Sequence, residues 1–108
     1  PFKPSYMDEI KSWELACRLV EKEFPSQKGR VYSILAVSAM LAVGKIARLP
    51  GVERKKYQTE VAQCRSAVQK GLAVPGAKEE LPEDYRIKTM LFTACPALYL
   101  ALYHHWKN

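Results

Sequence analysis

The side chains able to do acid–base, nucleophilic or metal chemistry are few and scattered. His104 and His105 are neighbours near the end of the chain. Adjacent residues on a helix project about 100° apart, whereas histidines that share a metal stand three or four residues apart, so the pair reads as two partly exposed imidazoles. Asp8 and Asp84, the two aspartates, each fall at a helix start, where a carboxylate caps or faces the positive end. Glu79 and Glu80 stand beside Lys78 as solvated charges. Cys17, Cys64 and Cys95 lie 47 and 31 residues apart, which fits neither a disulfide framework nor a zinc spacing; all three are expected as small buried hydrophobes in a reducing compartment. The five glycines form no phosphate loop, and no serine occupies a strand-to-helix elbow. The expectation is a chain with no catalytic, cofactor-binding or metal-binding residues of its own.

Two other groups invite contact rather than catalysis. The net charge is +6, and residues 25–70 hold the whole excess, with 9 basic and 2 acidic groups. Arg54, Lys55 and Lys56 are the densest cluster and the candidate contact for an anionic surface, either nucleic acid or lipid headgroups. Otherwise they are a solvated helix face. Few aromatics interleave with them, which disfavours nucleic acid as a partner. At the end of the chain, Tyr99, Tyr103 and Trp106 lie among leucines with Lys107 beside them. They are candidates for docking to a membrane or another domain, because tyrosine and tryptophan suit a wet–dry boundary and lysine can snorkel. The alternative is that they pack on their own helices.

The elements that must position these groups are all helical. At 108 residues there is room for one domain, and no strand-like alternation or repeat is visible. The fold is expected to be all-α, a bundle of four to five helices at about 5–24, 29–49, 52–71, 82–95 and 96–107. Ser5 and Asp8 suggest a capping box, followed by an apolar stripe of Tyr6, Ile10, Trp13, Cys17, Val20 and Phe24. The second helix is apolar nearly all round, and its 13-residue run from Val31 to Val43 is shorter than the roughly 20 residues a bilayer needs, so it is expected as the buried centre. Ala36, Ala39 and Ala42 would let neighbours approach closely. Tyr57, Val61, Cys64 and Val68 face inward from the third helix, which Gly71 should cap. Residues 72–82 are expected to be irregular. Ile87, Met90, Leu91 and Ala94 are the expected inner face of the fourth helix, and Pro96 opens the fifth. No secretory leader is visible, and Pro1 hints at a chain that continues upstream.

The order of these pieces, closing on Ile87, Lys88, Leu91, Pro96, Leu98, Tyr99, Leu102, Tyr103, Trp106 and Lys107 in the pattern I-K-x-x-L-x-x-x-x-P-x-L-Y-x-x-L-Y-x-x-W-K, resembles the C-terminal end of bacterial family 2 glycosyltransferases. The similarity spans most of the chain and rests on helical pattern and one tail motif. It implies a non-catalytic helical appendage to a GT-A catalytic domain that transfers sugar from a nucleotide-sugar to a glycan or lipid-linked acceptor in cell-surface polysaccharide synthesis. The nucleotide-sugar and a divalent metal would belong to that preceding domain, whose Asp-x-Asp motif and base have no counterpart here. The implied partners are that catalytic domain, an anionic membrane surface or a second copy of the chain. The implied location is cytoplasmic, at the inner face of the cytoplasmic membrane. A reading from a different class stays open: a free-standing basic bundle that binds nucleic acid or acts as a scaffold.

Overall fold

Proline and glycine divide this chain into rods. The computed structural model describes residues 2–107, the Lys107 side chain excepted. It contains α1 (Tyr6–Glu23), a 3-10 turn (Pro25–Gln27), α2 (Lys28–Ala47), α3 (Gly51–Lys55), α4 (Gln58–Leu72), α5 (Ala77–Glu80), α6 (Glu83–Ala94) and α7 (Pro96–Lys107). The fold is all-α, with no strand among the described residues. Five longer helices stand where five were expected; α3 is the start of the expected third helix cut off from α4, and α5 is additional. The expected third helix is broken at Lys56–Tyr57, where no proline or glycine stands; Tyr57 instead turns its ring edge-on to Phe2, with centroids 4.8 Å apart. The stretch 72–82, expected to be irregular, holds the single turn of α5.

α2 is the centre, packed against α1, α4, α5 and α7. Leu35, Ala39, Val43 and Ile46 are at most 1% exposed. One stripe of α2 stays open, with Ile34, Leu41, Lys45 and Arg48 exposed. Together with the preceding turn, α2 is long and apolar enough to cross a membrane by length and composition alone; here 61% of its most apolar window is covered by the other helices. α4 approaches it closely because Gly71 has no side chain: a Cβ there would stand 2.8 Å from the Tyr32 carbonyl oxygen and 3.6 Å from the Ala36 Cβ. Gly71 therefore does not cap α4, as expected from its place near the end, but lies within the helix as its contact point.

α1 buries Ile10 and Cys17 and half-buries Tyr6, Trp13 and Val20, as its stripe predicts. Phe24 departs from the stripe. It falls past the helix end and is 64% exposed. Ser5 does not cap through its hydroxyl; the first amides of α1 are instead met by the carbonyls of Lys3, Pro4 and Ser5 at 2.9–3.1 Å. Across the elbow, the Tyr32 hydroxyl donates to Glu21 at 2.8 Å, and Lys28 lies 3.5 Å from the same carboxylate. The Tyr32 bond, and then the Lys28 charge, hold the Glu21 carboxyl below its ordinary range.

The cysteines divide. Cys17 and Cys64 are buried but Cys95 is exposed, because it sits in extended backbone between α6 and α7 rather than on an inner face. Burial, with help from Glu14 and Glu21, pushes the Cys17 thiol up to about 11, and burial with Glu60 pushes Cys64 up to about 12. Thiolates are the reactive form, so iodoacetamide near neutral pH should modify Cys95 alone in the native protein and all three thiols in denaturant. Intact-mass spectrometry before and after unfolding counts the adducts.

The same shifts fix the pH response. In the unfolded chain the two thiols lose their protons near 9, while in the folded chain they hold them longer. Above that point the unfolded state binds fewer protons, so stability falls as pH rises. On the acid side, Glu21 contributes above its ordinary carboxylate value and that contribution is lost as pH falls through its lower folded value. Urea midpoints should therefore decline from about pH 8 to about pH 10.5. A Cys17→Ala/Cys64→Ala variant should lose much of the alkaline slope.

Candidate functional site

α6 and α7 form the part of the fold with the most unspent apolar surface. Two periodic faces were open to α6, since both Ile87, Met90, Leu91, Ala94 and the set Tyr85, Thr89, Phe92 fit helical spacing. The first set was expected inside. The structure buries the second: Phe92 is 0% and Thr89 1% exposed, while Ile87 and Met90 are 58% and 59% exposed and Leu91 and Ala94 also face outward. Thr89 tolerates burial because its hydroxyl donates to the Tyr85 carbonyl of its own helix at 2.7 Å. Phe92 then packs edge-on against Tyr99 of α7, with ring centroids 5.6 Å apart.

Side chains from other helices lock this choice. Arg65 of α4 donates from Nε and Nη2 to the Thr93 carbonyl at 2.9 and 2.5 Å, satisfying an orphan acceptor in the last turn of α6. His104 of α7 lies with Nδ1 2.9 Å from the Ala47 carbonyl, so a protonated Nδ1 donates to the end of α2. From sequence alone His104 is a partly exposed imidazole near the chain end and Arg65 has no assigned role. Neither contact had a local signal, because each joins elements far apart in sequence. His105 is exposed.

The residues proposed from sequence do not gather into one place. Tyr99 is 2% exposed and part of the core, Tyr103 is half-buried against Tyr99, and Trp106 is 62% exposed. As folded, only Trp106 of the three offers its ring to a partner. Lys107, expected beside it, has a side chain outside the described residues. Arg54 is half-buried and donates to the Leu49 carbonyl at 3.5 Å; Lys56 pairs with Glu53 at 3.4 Å. Arg54 and Lys55 border a shallow groove of about 400 Å3 floored by Val61, Pro96 and Leu100. Among the described residues, no three His, Cys, Asp or Glu side chains come together as metal ligands.

What the arrangement does present is apolar surface. The outward row of α6 runs Ile87, Met90, Leu91, Ala94, and Leu98 beyond the turn is 52% exposed. The molecule measures 43 × 26 × 17 Å, too thin for more than about two helix layers. Its accessible surface is 6705 Å2, against about 6,100 Å2 expected of a monomer of 12.3 kDa. No family model, curated protein or solved structure matches this chain.

Proposed function

We propose that this chain is a non-catalytic helical docking domain, the C-terminal appendage of a glycosyltransferase that moves sugar from a nucleotide-sugar to a glycan or lipid-linked acceptor. The outward apolar row Ile87, Met90, Leu91 and Ala94 carries the reading. A row of this kind on a helix already anchored on its other face marks a surface that another body covers. The order of helices and the tail motif point to a GT-A catalytic domain as that body. An anionic membrane face and a second copy are the other occupants the same reading allows.

The test mixes this chain with the nucleotide-sugar domain it is proposed to accompany. Ile87→Glu/Met90→Glu keeps good helix formers at exposed positions, so the thermal midpoint of the helical chain should barely move. Its association with the nucleotide-sugar domain, measured with the two parts expressed separately, should weaken at least tenfold, since two desolvated apolar anchors become charges. Unchanged association would remove the row from the interface. The basic-bundle alternative finds less support, because Arg54 and Lys56 already have partners within the chain.

A further inference from the structure

We propose that the cavity between α2, α6 and α7 binds a phosphoryl group. It holds about 150 Å3, room for about five waters and well below the 300 Å3 or so at which drug-sized pockets begin. A small, highly charged group suits it better than an extended ligand. Its wall brings together Lys45 of α2 and Arg48 just past its end, Tyr85 and Lys88 of α6, and Tyr99 and Tyr103 of α7. No carboxylate lines it. Asp84, one turn before Lys88 and outside the lining, lies 3.5 Å from the Lys88 ammonium, which also stands 5.0 Å from the Tyr85 ring centroid.

Tyr99 supplies the second, independent observation. Its side chain is 98% buried by the 2% exposure of the residue, yet its hydroxyl has no hydrogen-bond partner among the described residues. No buried side-chain oxygen or nitrogen of those residues is sealed off unpartnered. The hydroxyl is therefore within reach of solvent, and the residue lines the cavity. Burial, then the neighbouring Tyr103 and Tyr85 phenols, raises the Tyr99 phenol above its ordinary value, so it stays a donor throughout the neutral range. Arg48 and Tyr103 already engage other groups of the chain. Lys45 and the hydroxyls of Tyr85 and Tyr99 are left to meet the ligand, and Lys88 would turn to it from its solvent-exposed ion pair with Asp84. Two ammoniums and two hydroxyl donors match the spread charge of a tetrahedral dianion. The site lies on the other face of α6 from the outward row and stands or falls separately from the docking reading.

The phosphoryl group could be free or could belong to a lipid headgroup, and one experiment separates these. The intact chain is titrated calorimetrically with inorganic phosphate, and its binding to vesicles of equal parts phosphatidylcholine and phosphatidic acid is measured by sedimentation. Tyr99→Phe removes one oxygen and leaves the ring packing, and Lys45→Gln changes an exposed side chain, so both should fold; thermal midpoints check this. The expected result is saturable binding to phosphate, to the vesicles or to both, weakened at least tenfold by each substitution and unchanged by Lys22→Gln at an exposed position of α1. Phosphate binding identifies the free group as sufficient, and vesicle binding alone identifies the headgroup. No saturable binding to either probe, or binding indifferent to Tyr99→Phe and Lys45→Gln, overturns the assignment.

Discussion

Phe92→Ala should lower stability by about 3–5 kcal/mol, while Met90→Ala, two residues away, should change it by no more than about 0.5 kcal/mol. Phe92 is fully enclosed and meets Tyr99 edge-on, so its loss removes a large ring, leaves a cavity and forfeits an aromatic pair. Met90 is 59% exposed. A domain of this size has about 5–15 kcal/mol in all, so the first variant should melt on the order of 15 °C lower or fail to fold at room temperature. Thermal unfolding of both variants reads the rotation of α6 directly. If Met90→Ala proved the more damaging, the helix would have its other face inward, and the docking row would disappear with it.

Gly71→Ala should also destabilise, by about 1–3 kcal/mol, although alanine is the better helix former by about 1 kcal/mol. The sign turns on one distance. The added Cβ would stand 2.8 Å from the Tyr32 carbonyl oxygen, which belongs to the backbone of α2 and cannot rotate away. The two best-packed helices would have to separate. Gly44→Ala makes the contrast, because the atom it approaches at 3.0 Å is the hydroxyl end of the Tyr103 side chain rather than backbone. Urea midpoints should therefore fall clearly for Gly71→Ala and much less for Gly44→Ala.

These two sites also show where sequence pattern carries information and where it stops. The inward stripe of α1 and the enclosed stripe of α4 were legible because each has one apolar face and polar residues elsewhere. α2 was legible as the centre because a helix apolar nearly all round is enclosed by other helices or by lipid, and its 13-residue run from Val31 to Val43 favours the first. α6 was not, since it carries two periodic faces and the more apolar one faces outward. The deciding terms are contacts that no local pattern holds: the Thr89 hydroxyl satisfied within its helix, Phe92 meeting Tyr99, and Arg65 reaching Thr93 from α4. Gly71 looked like a cap because it stands near the end of its helix, and only the approach of Tyr32 reveals its use. The tail was partly legible. Its aromatics were recognised as a unit, but the turn at Cys95–Pro96 sends Tyr99 inward and leaves Trp106 outside. The cation-lined cavity needs three helices in register, and no spacing along the chain announces it.

We propose above that a sugar-transferring domain covers this helical array. Reading the genomic frame upstream of the codon for Pro1 tests it most directly. The account predicts an unbroken frame encoding a nucleotide-sugar-binding domain with an Asp-x-Asp motif. A start codon immediately before Pro1, with no such domain in the same polypeptide, would contradict it.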